Sequence, residues 1–164
     1  MVKRPKKKRI VALPSSLFSE LHEPARTLHI GFLARALAIF RVEEIVIFEH
    51  EDHDPSYLVQ ILSYLNTPQY LRKRLYSYSP ALKYVGLLPP LAIPSHPRKK
   101  DKPKFREGLV ISTARGNLYV DAGLEEPVIV EGSGKVGDRV IIKRTNEGWI
   151  LVDRKDVPVY WGYD

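Results

Sequence analysis

Cysteine is absent from the 164 residues, and Met1 is the only methionine. The first absence excludes disulfides, thiol catalysis and thiolate-ligated zinc. Asparagine and glutamine are scarce, with Asn66, Asn117, Asn146, Gln60 and Gln69 completing the set. This depletion of heat-labile residues, alongside thirteen prolines, points to a thermophilic source. No run of about 18 apolar residues is present to span a bilayer. The IVALP stretch behind the basic start is too brief for a signal peptide, so the expected location is cytoplasmic. No GxGxxG or P-loop pattern joins a parallel strand to a helix, and no serine stands in a nucleophile elbow. His22, His29 and His96 are isolated and read as ordinary loop or helix residues. No residue is assigned as catalytic or as a metal ligand.

Positive charge is what the chain has in excess. Lys and Arg number 26 against 19 Asp and Glu, a formal charge of +7, with a pI near 9.6. Exchanging condensed counterions for lysine and arginine favours binding to phosphate backbones, so RNA is the expected partner. No strongly basic amphipathic helix points to a membrane surface.

Residues 1–9 form a basic tail with too little to bury, expected to lack structure of its own unless RNA phosphates hold it. Residues 10–13 read as a short buried strand ended by Pro14. Thr27 is positioned to cap a helix running to about residue 41. Leu28, Phe32, Ala36 and Phe40 lie on one side of it and Ile30, Leu33 and Leu37 on another, an apolar surface that needs cover on two sides. EIVIF, residues 44–48, has the β-branched composition of a central parallel strand, so strand, helix and strand make a right-handed crossover unit. FEHEDHD follows at 48–54. Three readings stay open for it: a solvated loop ahead of a helix, a Mg²⁺-assisted contact to RNA phosphate, or a structural transition-metal site. Carboxylates before a helix N-terminus are stabilised by its dipole, which favours the first. The next helix spans 55–65, with Leu58, Ile61, Leu62 and Leu65 on one face.

PQYLRKRLY, from Pro68, is a short cationic helix in which Arg72, Lys73 and Arg74 alternate with tyrosines, a mixture suited to RNA phosphates and bases. The equally weighted alternative has the tyrosines in the core and the cations solvated. ALKYVGLL, from Ala81, reads as a helical turn feeding a third strand, closed by Pro89 and Pro90. PSHPRKKDKPK, residues 94–104, is a basic, proline-rich linker. Beyond it five short alternating strands with glycine-rich turns suggest a Greek-key barrel of the OB type over 105–156, with exposed polar candidates Arg115, Asn117, Tyr119, Lys143, Arg144 and Trp149.

Three separated blocks carry a family likeness: TLHIGFLARALAIFRVEEIVIFEHED, LNTPQYLRKRLYSYSPALKYVGLLPPLAIPSHP, and REGLV with LYVDAGL and VYWGY. Together they resemble the N-terminal and middle parts of a SPOUT-class (trefoil-knot) RNA methyltransferase family with an inserted OB-like domain. The resemblance implies a homodimeric knotted α/β domain that binds S-adenosylmethionine and modifies an RNA base, the barrel assisting with RNA. It further implies that a segment after VPVYWGY builds the knot and the methyl-donor pocket, whereas this chain stops at Asp164; no residue is therefore assigned to the cofactor.

The expected fold is α/β: a partial Rossmann-like (SPOUT-type) parallel sheet with helices over 10–93, the linker at 94–104, a small OB-like β-barrel over 105–156 and a return segment at 157–164. Such a half-sheet leaves an edge and a face uncovered, to be met by a self-dimer, a second chain or a ribonucleoprotein surface. The expected function is a non-catalytic RNA-binding protein, a ribosome component on ribosomal RNA beside ribosomal proteins. It needs no cofactor, S-adenosylmethionine entering only if the missing half is supplied. The alternative is the N-terminal part of an active S-adenosylmethionine-dependent RNA methyltransferase whose cofactor half is truncated or on another chain; an adaptor for a complete methyltransferase subunit is a third reading. The expected RNA contacts are Lys3, Arg4, Lys6, Lys7, Lys8 and Arg9 in the tail, Arg72, Lys73 and Arg74, then Arg98, Lys99, Lys100, Lys102 and Lys104 in the linker, and Arg115, Lys143, Arg144 and Trp149 on the barrel.

Overall fold

The two β-branched runs, IVALP and EIVIF, form β1 (Ile10–Pro14) and β2 (Glu44–Phe48), paired in parallel with Val11 opposite Ile45 and Leu13 opposite Ile47. The computed structural model describes residues 3–98 and 100–164; Lys99, among the expected RNA contacts, lies outside the described residues. Helix α1 (Ala25–Ile39) makes the crossover between the strands, and α2 (Ser56–Leu65) follows β2. Both helices pack on the face that carries Val11, Leu13, Ile45 and Ile47, and Leu58, Ile61, Leu62 and Leu65 are all buried as their spacing predicts.

The other face of the sheet is uncovered. Ile10, Ala12, Val46 and Phe48 share it by the alternation of the strands, and all four are exposed. Phe32, Ile39 and Phe40 are likewise exposed on or just beyond α1. The helix that needed two covers thus has one.

Two local expectations are corrected. Thr27 is not the cap of α1: the helix starts at Ala25, and Thr27 is buried within its first turn, donating its hydroxyl to Glu23 at 2.7 Å. Glu23 takes over the capping role by accepting the Thr27 amide, and the left-handed φ of +54° at Arg41 stops the helix short of that residue. Residues 80–88 make the expected helical turn, as two 3₁₀ turns at Pro80–Leu82 and Val85–Leu87, but feed no third strand. Leu88 then packs against Gly31 of α1, where a β-carbon would leave too little space.

After α3 (Gln69–Leu75) and the linker, five strands build an antiparallel, nearly closed barrel: β3 (Phe105–Ala114), β4 (Asn117–Asp121), β5 (Val128–Glu131), β6 (Arg139–Arg144) and β7 (Trp149–Val152). Their order is β5-β4-β3-β6-β7, and β5 approaches β7 to close the ring. The long β3 serves two neighbours because a register shift at Ile111 bends it: Phe105–Leu109 pairs with β6, and Leu109–Ala114 with β4. Val110, Leu118, Val120, Val130 and Ile142 fill the interior.

Residues 157–164 return to the α/β body and bury side chains in two directions. Val157, Val159 and Trp161 join Ile141 and Phe105 beneath the barrel, whereas Tyr160 and Tyr163 enter the body core and donate to Val42 O (2.6 Å) and Leu62 O (2.9 Å). Gly162, at φ +95°, passes so close to Asn66 Oδ1 that a β-carbon would overlap it. At the end of the segment the Asp164 amide donates to Glu43 O, and Asp164 O accepts from Ile45, beginning a third parallel rung on the free edge of β2.

Candidate nucleic-acid interface

The tail is held by the protein itself, which corrects the expectation that RNA must order it. Lys3 bridges to Val159, and the Arg4 amide donates to Pro158 O. Arg4 pairs with Glu43 at 2.6 Å and reaches the carbonyls of Arg154 and Lys155. Lys8 pairs with Glu44, and Arg9 donates to Phe40 O. Lys6 and Lys7 remain exposed, with no ion pair recorded for either among the described residues.

The cations of α3 divide in the same way. Arg72 lies over the Tyr64 ring (4.6 Å) and donates to Thr67 O (2.9 Å) and Leu65 O (3.3 Å), closing the C-terminus of α2. Burial pulls its pKa below the usual guanidinium range. Arg74 pairs with Asp121 of β4 at 2.6 Å, tying α3 to the barrel. Lys73 points to solvent. Around them the joint between body and barrel is closed by Tyr70, whose hydroxyl donates to Glu107 O (2.7 Å) and whose ring carries the Arg106 guanidinium 5.0 Å from its centroid. Glu107 is buried against Arg139; burial raises its pKa, and Arg139 opposes the rise.

Three of the expected contacts meet. Lys102 and Lys104 of the linker and Lys143 of β6 line one groove of about 750 Å³, with Ile93, Phe105, Val159 and Trp161 among its apolar walls. The strand ladder brings them there: Phe105 is opposite Lys143, and Arg144 donates its amide to Lys104 O at 2.7 Å. Phe105 and Trp161 meet edge-on, ring centroids 6.5 Å apart. The Lys3 bridge to Val159 brings the tail to the same place. Arg98 and Lys100 are exposed on the linker, where Asp101 accepts the Arg98 amide at 2.7 Å.

Elsewhere on the barrel, Arg115 is exposed in the β3–β4 turn, and Arg144 is exposed at the end of β6. Trp149, expected on the surface, is half-buried and packs against the barrel interior. Sequence reading passed over two residues of the groove. His96 and Trp161 both line it; the signals were the flanking prolines of PSHP, which fix the linker's path, and an aromatic cluster at 160–163 too large for a loop left in water.

The acidic stretch wraps the carboxyl ends of the parallel strands. His50 Nδ1 meets Ser16 Oγ at 2.8 Å, and its amide donates to Ser15 Oγ. Asp54 accepts the Ser56 hydroxyl (2.6 Å) and amide (2.8 Å) at the start of α2, which holds its carboxyl below the usual range. Among the described residues no group of three or more histidines and carboxylates is placed to hold a metal ion. The cleft here, about 560 Å³, is walled by carboxylates and imidazoles, with Pro55 its one apolar side chain. That lining does not fit the adenine ring of the S-adenosylmethionine that the resemblance brings in. Among the described residues no helix is long and apolar enough to cross a membrane.

Residues 8–164 match the model of a family described as "Putative RNA methyltransferase". The 28S rRNA (uridine-N(3))-methyltransferase of Homo sapiens is 33% identical over 93% of this chain and 50% of that protein. Its Mus musculus counterpart is 32% identical over 93% and 48%. An uncharacterized protein of Halobacterium salinarum is 33% identical over 92% and 58%. The chain thus spans about half the length of the rRNA methyltransferases it matches.

Proposed function

The chain belongs to this RNA methyltransferase family, and on that premise we propose that it serves methylation of ribosomal RNA by gripping the RNA along the groove between linker and barrel. One observation carries the reading: cations from separate stretches, Lys102 and Lys104 with Lys143, converge on an apolar trough beside the tail. Relatives named as 28S rRNA methyltransferases support ribosomal RNA as the polyanion.

We take the body to be of the SPOUT type and the barrel of the OB type; the pairing of β3 with both β4 and β6, and the approach of β5 to β7, support the latter. The parallel bridge that Asp164 adds to the edge of β2 supports a parallel sheet of the former type. In this reading the chain is the RNA-engaging part of an enzyme. The alternative of a non-catalytic ribosome component drew on a tail ordered by RNA, and the contacts of Lys3, Arg4, Lys8 and Arg9 remove that support.

Two measurements test this. Filter binding to ribosomal RNA across a salt series is expected to give an affinity that falls steeply as salt rises, each phosphate contact adding roughly 0.7–0.9 to the slope; a flat dependence overturns the reading. In sucrose gradients the protein is expected to leave ribosomal subunits as salt is raised. Stoichiometric retention at high salt would instead favour the stable component.

A further inference from the structure

We infer that the groove between linker and barrel seats an unpaired nucleotide of RNA, with Lys102, Lys104 and Lys143 on its phosphates and His96 Nδ1 accepting a hydrogen bond from a base N–H. The inference rests on the RNA-binding reading above and adds strandedness and a base contact to it.

The shape argues for an unpaired base. Trp161, Phe105, Ile93 and Val159 make an apolar trough, while the lysines stand among its polar lining. A duplex turns phosphates outward and keeps its base faces stacked, so it has nothing to bury there. An unstacked base offers a flat face to such a trough, with its phosphates free to reach the cations. At about 750 Å³ the groove has the size of a small-molecule pocket. Two carboxylates share the lining, Asp101 and Asp156. Asp101 is engaged by the Arg98 amide, and the three lysines outnumber the pair.

His96 supplies a directional group. Its Nε2 lies 3.1 Å from Asn66 O, an acceptor only, so Nε2 carries the proton and Nδ1 is left as an acceptor. No protein donor to Nδ1 is found among the described residues. Burial, with Arg72 and Arg139 nearby, pushes the imidazole down to about 4, so it is neutral at physiological pH. A neutral ring wedged between a main-chain carbonyl and the groove accepts from an imino or exocyclic N–H and refuses an acceptor edge.

The test is fluorescence anisotropy on the protein with labelled single-stranded oligonucleotides of different base composition and with a matched duplex. Single strands are expected to bind at least about tenfold more tightly than the duplex. The triple variant Lys102→Gln, Lys104→Gln, Lys143→Gln should lower the slope of log affinity against log salt by about two, three contacts at roughly 0.7 each. His96→Phe keeps a ring at the groove and removes the acceptor, and circular dichroism checks that the variant folds. It should leave the slope intact and shrink the spread of affinities among base compositions about two- to tenfold, the worth of one hydrogen bond. Preference for duplex overturns the inference, as does an unchanged slope in the triple variant, the result expected if the groove takes a peptide. An unchanged spread in His96→Phe overturns the base contact. In each of these cases RNA binding itself persists; loss of all RNA binding by the unaltered protein would sink the functional reading instead.

Discussion

Arg72 and Lys73 are neighbours of like charge with opposite employment. Arg72 closes a helix end and stacks on Tyr64, whereas Lys73 is solvated. Arg72→Gln is expected to cost about 1–3 kcal/mol, because the Leu65 and Thr67 carbonyls lose their donor, and Lys73→Gln to stay within about 0.5 kcal/mol; urea unfolding separates them. His96 gives the protein a pH signature. Its pKa falls from 6.5 to about 4 on folding, so the unfolded chain binds the extra proton in between. Its contribution is complete above 6.5 and is lost as the pH falls toward 4, in all about 3 kcal/mol. Glu107 acts in the opposite sense: burial raises its carboxyl above 4.5, so its contribution is present below that value and declines as the pH rises. The difference in unfolding free energy between the unaltered protein and His96→Gln, followed from pH 7 to 4, should isolate the histidine; a difference independent of pH contradicts its buried neutrality.

Among the elements, the sheet makes the sharpest contrast. Leu62 is buried in the body core, and Val46 is 44% exposed on the uncovered face. Leu62→Ala should cost about 2–5 kcal/mol and Val46→Ala well under 1, as read from denaturant midpoints; equal costs would mean that the open face is covered in solution. Periodicity made α2 legible because its apolar residues keep one face, and EIVIF legible because few other conformations suit such a β-branched run. The start of α1 was misread because Glu23, a residue outside the helix, does the capping. Between Pro80 and Leu88 the helical turn was legible but the strand expected after it is absent, because Leu88 is laid over Gly31 instead. The lysines of the groove were legible as charge. Their convergence was not, since it depends on the β3–β6 register and on a return segment that buries Trp161 beneath the barrel. Arg4 and Arg72 looked like free cations because their partners, Glu43 and the end of α2, are distant or main-chain groups.

For the molecule as a whole, the barrel is an insertion clamped at both ends. The chain leaves the body after Ile93 and returns at Val157, while Arg74–Asp121, Tyr70–Glu107 and the close approach of Tyr70 to Gly123 fasten its side. That layout dictates an order of assembly. The core of the body is finished by Tyr160 and Tyr163, which bond to Val42 and Leu62 across separations of 118 and 101 residues. Closing loops of that length early is entropically unfavourable, whereas the β3–β4 and β6–β7 hairpins close short ones. The later portion of the chain should therefore organise first and draw its own ends together, delivering the two tyrosines to a body that until then has no floor. In pulsed hydrogen exchange during refolding, amides of β4 and β6 should become protected before that of Ile45, whose acceptor is Asp164 O; simultaneous protection would mean that the body nucleates without waiting.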